Sequence, residues 1–349
     1  MNILSLFDGM SCGQLALDRA GIHVDQYYAS ELDKYAIKVT QANWPDTIQL
    51  GDVTRWKEWD IDWAGIDLLI GGSPCQGFSM AGKQLAFDDP RSKLFFVYVD
   101  ILNHIKSLNP GVKFLLENVK MKNEYLDVIT EYLGVEPVFI NSALVSAQNR
   151  QRYYWANWEF GQPEDEGIVL ADILEDGEVN NELVFNPAAI VGRRLNERGV
   201  RDDYNKDVPI TQCLQVKHNN EKMGCLTTVQ KDNVISPMKP GRYPLNTQKG
   251  QNNKPVRLGV INNGGQGDRI YSRDGKAISI GAQSGRTAGH GNLLVGNQES
   301  YRRLTPVECE RLQTVPDGYT AHVSNTQRYR MLGNGWTVDV IAHIFEGLK

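Results

Sequence analysis

Cys75 stands where a nucleophile would stand in an α/β protein. The apolar run 66–70 predicts a buried strand, Gly71-Gly72 ends it, and Ser73-Pro74-Cys75 follows. In open α/β sheets, sites form outside the carboxyl ends of strands, which is where this thiol would lie. A cysteine taken alone is more often a small, buried and unreactive residue, so the assignment depends on the rest of the chain.

Other reactive groups follow other predicted strands. Residues 113–116 predict a buried strand with Glu117-Asn118 at its carboxyl end. Farther along the chain, alternation in an extended segment places Gln148, Arg150 and Arg152 on one side. Two guanidinium groups that point the same way suit carbonyl and phosphate groups of a ligand. The sequence therefore predicts a site that combines a thiol, a carboxyl group and two guanidinium groups.

The amino-terminal part of the chain predicts a nucleoside site. Residues 2–7 predict a strand, and the glycine-bearing turn 7–13 leads into a helix, which lets a ligand approach the backbone closely. Glu31 ends the next strand at about the 20-residue spacing where a carboxylate binds a ribose hydroxyl pair, and Asp52 follows a third strand. Either acid alone is more often a solvated loop residue, but the ordered set predicts a nucleoside cofactor.

Charge is unevenly distributed along the 349 residues. Residues 190–300 carry 17 Lys and Arg against 9 Asp and Glu, whereas residues 1–189 carry 14 against 28. The overall net charge of −5 argues against a nucleic-acid partner, but a basic block within an acidic chain favours a polyanion. Ordinary surface charge is the alternative explanation of this asymmetry.

The sequence of the same block predicts short strands joined by glycine loops. The other interpretation, an insertion without a packed core, is disfavoured by the strand-like runs within the block.

The composition limits the class of protein. The length suits one large domain with an insertion, or two domains. Five scattered cysteines without a C-x-x-C pair argue against a disulfide framework or a zinc site and favour a reducing cytosol. The start of the chain lacks the pattern of a signal peptide, and no apolar run reaches the length of a membrane span.

Three further segments complete the prediction. Residues 76–93 predict a long loop able to close over a site. Residues 92–108 predict a helix with Leu94, Val97, Ile101, Leu102, Ile105 and Leu108 on its apolar face. Near the carboxyl terminus, Thr305, Pro306 and Glu308 predict a capped helix, and a glycine loop over 330–337 precedes an apolar helix over 338–348.

Together these motifs resemble those of DNA cytosine-5 methyltransferases, in the order that the family has them. The matching segments are FDGMSCG (7–13), Glu31, Asp52, SPCQGFS (73–79), LFF (94–96), LLENV (115–119), QNRQR (148–152), RRLTPVECERLQ (302–313) and GNGWTV (333–338). The segment after Cys75 is similar to that of bacterial modification enzymes, whereas FDG and SPC also resemble the vertebrate de novo enzymes. Asp8 and Gly335-Trp336 depart from the bacterial pattern, which has Ala at the first position and a small residue followed by Val at the second pair.

The resemblance implies an α/β fold with two parts. One is a Rossmann-like, S-adenosylmethionine-dependent methyltransferase domain with a mixed, mainly parallel sheet; the other is a smaller, irregular β-rich target-recognition domain. Residues 1–160 would form the catalytic and cofactor-binding domain, residues 161–300 the target-recognition domain, and residues 301–349 would return to complete the cofactor pocket.

The resemblance also implies a mechanism. Cys75 would add to carbon 6 of a flipped-out cytosine, Glu117 would hydrogen-bond N3, Arg152 would hold the O2 carbonyl, and Arg150 would position Cys75 and the ring. The substrate-binding set would be Gln76, Ser79, Lys83, Arg91 and Asn118. The set that binds S-adenosylmethionine, and its product S-adenosylhomocysteine, would be Phe7, Asp8, Gly9, Gly13, Glu31, Leu32, Asp52, Val53, Ser73, Pro74, Leu94, Asn334 and Trp336. No metal is implied.

The expected partner is double-stranded DNA, with a restriction endonuclease acting separately, and the expected state is a cytoplasmic monomer in a prokaryotic or phage-infected cell. Two alternatives stay open: the same reaction on RNA, as in the tRNA-directed branch of the family, and a catalytically silent DNA-binding relative. The intact set of Cys75, Glu117, Arg150 and Arg152 argues against the silent relative. A small-molecule methyltransferase does not explain the combined motifs.

Overall fold

The computed structural model describes three long stretches of the chain, residues 1–73, 93–175 and 301–349, together with shorter segments between them. The shorter segments are 186–194, 205, 207, 210–216, 233–236, 254–255, 257–260, 269–273, 275–280 and 294–296. Six predicted site residues, Pro74, Cys75, Gln76, Ser79, Lys83 and Arg91, lie outside the described residues, as does nearly all of the predicted closing loop. No helix in the described part of the chain is long and apolar enough to cross a membrane.

A seven-stranded sheet forms the centre, in the order β3-β2-β1-β4-β5-β8-β6. The strands are β1 (Asn2–Leu6), β2 (Gln26–Ser30), β3 (Ile48–Gln49), β4 (Leu68–Gly71), β5 (Lys113–Val119), β6 (Val138–Asn141) and β8 (Gln151–Ala156), while β7 (Gln148–Asn149) pairs outside this sheet. Only β8 runs against its neighbours β5 and β6. The sheet is therefore mixed and mainly parallel, which confirms the predicted fold class.

At the carboxyl edge β1, β2 and β4 end level with one another, whereas β5 continues past this line to Val119 and includes Glu117. Leu6 at the end of β1 pairs with Ser30 and with Gly71, and Gly71 pairs in turn with Leu116. This register places the residues that follow each strand side by side. The turn after β1, Glu31 after β2, the start of the Cys75 segment and Glu117 are thus brought to one edge, where ligands bind in such sheets.

Successive side chains of each strand point to opposite faces of the sheet, and both faces are apolar. Helices therefore pack on both faces. The helices are α1 (Cys12–Arg19), α2 (Lys34–Asn43), α3 (Lys93–Leu108), α4 (Asn123–Leu133), α5 (Leu170–Ile173), α6 (Pro306–Leu312), α7 (Asn325–Asn334) and α8 (Val338–Glu346). Ile3 belongs to the core shared with α1 and α8, whereas its neighbour Leu4 belongs to the core shared with α3 and α4.

The predicted apolar face of α3 is partly wrong. Leu108 is 50% exposed and Leu94 and Val97 are half-buried, whereas Phe95 and Tyr98, each one residue later, are fully buried. The stripe begins one residue later than predicted because the aromatic rings, which bury more area than leucine, turn toward the sheet.

The carboxyl-terminal segment confirms one prediction and corrects another. Thr305 Oγ1 accepts from the Glu308 N–H at 3.1 Å and Glu308 Oε2 accepts from the Thr305 N–H at 2.8 Å, which is the predicted capping box. The predicted glycine loop is wrong for residues 330–334, because Gly333 and Asn334 form the last turn of α7. The loop between the last two helices is only residues 335–337.

Between residues 186 and 303, the described secondary-structure elements are all β-strands. They are β9 (Asn186–Arg194), β10 (Ile210–Val216), β11 (Asn233–Ser236), β12 (Arg257–Val260), β13 (Arg269–Ser272), β14 (Ala277–Ile278), β15 (Leu294–Gly296) and β16 (Tyr301–Arg303). They form one three-stranded and one four-stranded sheet, and β14 pairs with β7. Beside β14 the buried ammonium group of Lys276 donates to the carbonyls of Ala143 and Ser146, at 2.9 and 3.1 Å. Lys276 therefore anchors this β-rich region to residues 143–146, next to the seven-stranded sheet.

Candidate active site

The turn after β1 has an unusual backbone. Phe7, Gly9 and Ser11 all have positive φ, at 58°, 62° and 60°. Two of them are not glycine, and such residues favour this region only where the surroundings hold them there. Among the described residues, no atom lies within 4 Å of the place where a Cβ of Gly9 would be, so this part of the surface is open to a ligand.

Glu31 holds this turn to the end of β2. Its Oε2 accepts from the Gly9 N–H at 2.8 Å, and its Oε1 accepts from the N–H groups of Leu32 and Asp33 at 2.7 and 2.8 Å. A carboxylate offers about four lone-pair sites, so Glu31 retains capacity for one further donor such as a ribose hydroxyl. Gly9 and Glu31, two of the thirteen residues predicted to bind the cofactor, are therefore in direct contact.

Asp8 points into the protein. Its carboxyl group accepts from the Ser11 hydroxyl and from the Tyr27 hydroxyl, the latter at 2.8 Å. Burial raises the pKa of Asp8 to about 6, against the opposing effect of its hydrogen bonds with Ser11, Ser5 and Tyr27. The Asp8 side chain thus stabilises the turn from its buried side. This structural role was not part of the prediction, which placed Asp8 in the cofactor set.

Gly13 leaves room for its neighbours to pack. A Cβ at this position would lie 2.5 Å from Ile70 Cδ1, 2.9 Å from the Tyr27 hydroxyl and 3.5 Å from Trp336 Cζ3. The second glycine of the FDGMSCG segment is therefore explained by close packing. Its predicted contact with the cofactor stays a prediction.

An apolar surface lies beside a carboxylate at the next strand end. Phe7, Val53 and Leu94 belong to the same hydrophobic cluster, and Asp52 directly precedes Val53. Asp52 caps a short 3-10 helix by accepting from the N–H and the hydroxyl of Thr54, at 2.9 and 2.8 Å, and these bonds lower its pKa. An apolar surface with an ionised acid at its rim suits a flat heterocycle that carries an amino group. Leu32, predicted for this set, is 68% exposed.

Glu117 lies at the centre of the polar part of the site. Its Oε1 is 2.8 Å from Arg152 Nε, and its Oε2 accepts a 3.2 Å hydrogen bond from the Trp336 indole N–H. Glu117 is buried. Three predicted site residues from distant parts of the sequence therefore meet here.

Asn118 joins this carboxyl group to the start of the Cys75 segment. Its side-chain amide donates to Ser73 Oγ at 3.3 Å, and its Oδ1 accepts from the Val119 N–H at 2.8 Å. Ser73 and Asn118 are both buried. The segment that carries Cys75 therefore starts beside Glu117.

Arg150 and Arg152 do not share a target. Arg150 is buried and donates to the carbonyls of Gly335 and Gly333 at 2.9 and 3.3 Å, and to Ser279 Oγ at 3.1 Å. Arg152 turns to Glu117. Arg150 thus connects the loop that carries Trp336 to the insertion.

Gln313 is a site residue that the sequence reasoning did not single out. Its buried side chain donates to the carbonyls of Leu332 and Gly335, at 2.6 and 3.3 Å, and accepts from the Thr337 hydroxyl at 2.9 Å. Its position at the end of the RRLTPVECERLQ segment is the signal that could have identified it. Asn334, in contrast, lies exposed at the end of α7.

Within the described part of the chain, no three His, Cys, Asp or Glu side chains are grouped in a way that would hold a metal ion.

Comparison with known proteins identifies the family. The family model for C-5 cytosine-specific DNA methylases matches residues 1–349. The chain belongs to this family. It transfers a methyl group from S-adenosylmethionine to carbon 5 of cytosine in DNA.

Curated relatives align over nearly the whole chain. The Type II methyltransferase M.HhaI of Haemophilus parahaemolyticus is 29% identical, with 99% of this chain and 93% of the relative covered. The orphan methyltransferase M.SPRI of Bacillus phage SPR is 28% identical, with 100% and 97% covered.

Solved structures show the same fold. The methyltransferase EhMeth of Entamoeba histolytica has a TM-score of 0.63 at 14% identity, covering 100% of this chain and 99% of that one. A mutant DNMT2 of Spodoptera frugiperda has a TM-score of 0.58 at 17% identity, with 99% of each chain covered.

Proposed function

We propose that Cys75 is the nucleophile of this methyltransferase and that Glu117 and Arg152 bind the target cytosine. The observation that carries the proposal is the position of Glu117. Its carboxyl group is paired with Arg152, and the next residue, Asn118, donates to Ser73, two residues before Cys75. The proposed nucleophile is therefore only two residues along the chain from Ser73, which contacts the end of β5.

The chemistry requires each of these groups. Carbon 5 of cytosine is a poor nucleophile until a thiolate forms a bond with carbon 6 and the ring becomes enamine-like. A hydrogen bond to N3 from Glu117, protonated or sharing a proton, and the charge of Arg152 near O2 would relieve the negative charge that develops on the ring. S-adenosylmethionine supplies an electrophilic methyl group when bound. A base then takes the carbon 5 proton while the sulfur–carbon 6 bond breaks with its electron pair returning to sulfur, which restores the ring and the thiolate.

The cofactor would be held along the carboxyl edge of the sheet. Phe7 and Val53 would contact the adenine ring, Asp52 its amino group and Glu31 the ribose hydroxyls. The open surface at Gly9, the remaining capacity of Glu31 and the apolar cluster beside Asp52 support this placement. The other predicted cofactor contacts, from Asp8, Gly13, Leu32, Ser73, Pro74, Leu94, Asn334 and Trp336, are part of the same proposal.

The substrate would be duplex DNA with the target base flipped out, because carbon 5 is inaccessible to this chemistry inside the stack. Gln76, Ser79, Lys83, Arg91 and Asn118 would bind the flipped nucleotide. Residues 161–300 would form the target-recognition domain, with residues 1–160 and 301–349 forming the catalytic domain. The excess of Lys and Arg over Asp and Glu within residues 190–300 supports this division.

The biological setting follows from the relatives. M.HhaI is named a Type II methyltransferase and M.SPRI an orphan methyltransferase of a phage. We infer that this protein modifies cytosine in a short fixed sequence, in the cytoplasm of a prokaryotic or phage-infected cell and in association with its DNA. It would act as a monomer and separately from any restriction endonuclease.

The test is a methyl-transfer assay. Purified protein, labelled S-adenosylmethionine and unmethylated genomic DNA are incubated, and the modified base and its sequence context are read by mass spectrometry and bisulfite sequencing. We expect 5-methylcytosine in one short context, and none with Cys75→Ala. Transfer to structured RNA but not to DNA would contradict the duplex proposal, and a near wild-type rate for Cys75→Ala would remove Cys75 as nucleophile.

A further inference from the structure

The indole ring of Trp336 lies against two glycines. Its Cζ3 is 3.5 Å from the place where a Cβ of Gly13 would be, and its Nε1 is 2.9 Å from the corresponding place at Gly72. Any other residue at Gly72 would push against both the indole ring and Glu117, whose Oε2 is 3.0 Å from the same point. The two glycines therefore leave a slot between the turn after β1 and the end of β4, and the indole ring occupies it.

The backbone that carries Trp336 is held from both sides. The carbonyl of Gly335 accepts from Arg150 Nη2 at 2.9 Å and from Gln313 Nε2 at 3.3 Å. On the other side, the Thr337 hydroxyl donates to Gln313 Oε1 at 2.9 Å. Because both neighbours are fixed, the indole ring has little freedom to leave the slot.

The indole N–H and Arg152 engage different oxygens of Glu117. The indole donates to Oε2 at 3.2 Å, and Arg152 Nε lies 2.8 Å from Oε1. The Arg152 contact is an ion pair without the alignment of a hydrogen bond, so the indole N–H is the directional contact that fixes the plane of the carboxyl group. Lone pairs on both oxygens remain for a ligand. Arg152 alone would leave the carboxyl plane free to rotate.

We propose that Trp336 is a positioning residue for Glu117: its indole N–H sets the orientation in which the carboxyl group meets the Watson–Crick edge of the target cytosine. The inference rests on the proposed role of Glu117. It differs from the cofactor contact expected of Trp336, because an indole that only lined the cofactor pocket would not need its N–H.

Trp336→Phe removes the N–H and keeps an aromatic ring between the two glycines. A mispositioned catalytic group lowers the rate of the chemical step more than it lowers binding. We expect the single-turnover rate of methyl transfer, with DNA and cofactor both saturating, to fall about tenfold or more, as for loss of a hydrogen bond to a charged group. The dissociation constants for S-adenosylmethionine and for DNA are expected to stay within about twofold.

A second variant separates the N–H from the shape of the ring. β-(3-Benzothienyl)alanine incorporated at position 336 keeps the two-ring outline and replaces the N–H by sulfur, so it tests the proposal even if phenylalanine disturbs the fold. Trp158→Phe is the matched control. Its indole N–H donates to the Ile344 carbonyl at 2.9 Å, outside the site, and its loss should leave the rate within about twofold of wild type.

The outcomes are distinct. A slow chemical step with unchanged affinities in both position-336 variants supports the proposal. An unchanged rate with the benzothienyl residue, or a loss confined to cofactor affinity, overturns it and leaves Trp336 a cofactor contact only. If the wild-type protein transfers no methyl group to DNA, the proposed function fails and this inference fails with it.

Discussion

The Tyr27 hydroxyl donates to the Asp8 carboxyl group at 2.8 Å, so the second strand of the sheet holds the turn that follows the first. Asp8 is half-buried, and Tyr27 is buried beneath it. The hydrogen bond brings an ionisable group into the interior just below the proposed cofactor site, which makes the stability of this region depend on pH.

Asp8→Asn tests that dependence. Burial raises the pKa of Asp8 from 3.8 to about 6, so the folded protein binds a proton more tightly than the unfolded chain. Stability from this group is therefore present at low pH and is lost as the pH rises through about 6. Asparagine keeps an acceptor for Tyr27 and carries no charge. As the pH rises from about 4 to about 7.5, the free energy of unfolding of the variant should increase relative to that of wild type by on the order of 1 kcal/mol, after allowance for solvent screening.

The measurement is the free energy of unfolding in urea across that pH range. Asp25→Asn is the control with the opposite sign, because the amino-terminal ammonium group lowers the pKa of Asp25. That variant should lose stability relative to wild type as the pH rises. Parallel pH curves for Asp8→Asn and wild type would contradict the burial of the Asp8 charge.

Gly13→Ala should destabilise the protein and weaken cofactor binding. The new Cβ would lie 2.5 Å from Ile70 Cδ1, and the side chain of Ile70 is fully buried. Overpacking of this kind costs about 1–3 kcal/mol. Gly161→Ala is the control, because no atom of the described part of the chain lies within 4 Å of its Cβ position. Urea unfolding and titration with S-adenosylmethionine measure the two effects, and equal stability of both variants would count against the packing explanation.

Arg150→Ala should destabilise the protein by about 3 kcal/mol, because it removes a buried charge that bonds with two backbone carbonyls and Ser279. Arg330→Ala removes an exposed guanidinium group 3.2 Å from Asp33 and should cost under about 1 kcal/mol. Chemical denaturation compares the two. A loss of activity in Arg150→Ala without a loss of stability would instead indicate a direct contact with substrate.

Native-state alkylation should distinguish the thiols. Cys12 and Cys309 are buried, and burial raises the pKa of both, that of Cys12 to about 12. Thiols react as thiolates, so neither should react with iodoacetamide near neutral pH, whereas Cys75 should react as activity is lost. Peptide mass mapping reads the labelled residue. Inactivation that follows labelling of Cys12 would contradict both assignments.

Exchange of residues 190–268 for the corresponding segment of a relative that methylates another sequence should change the methylated context without changing the product. Residues 275–280 stay in place because Ser279 contacts Arg150 and the Ile280 N–H donates to Gln148 Oε1 at 3.1 Å. Bisulfite sequencing reads the context. An unchanged context after the exchange would remove residues 190–268 from target recognition.

The sequence predicted best those features that depend on nearby residues. Apolar runs indicated the strands of the sheet, and the shared carboxyl edge of the parallel strands then brought Glu31, Asp52 and Glu117 together. The capping box at Thr305 was predictable because both partners lie within one helical turn.

The partners of Arg150 could not be predicted in this way. Alternation indicated that Arg150 and Arg152 share a side, but it cannot indicate which distant backbone approaches. The carbonyl of Gly333, which is 183 residues away in the chain, accepts a hydrogen bond from Arg150. The inward direction of Asp8 depends likewise on Tyr27, 19 residues later in the chain.

The loop at residues 335–337 has a consequence for synthesis of the protein. Glu117, Arg152 and the turn after β1 all emerge from the ribosome long before Trp336 and Gln313, which complete the surroundings of Glu117. Domains fold as their chain emerges, so the sheet can form early while the site stays unfinished. Translation must therefore pass residue 337 before the carboxyl group of Glu117 has a partner at each of its two oxygens.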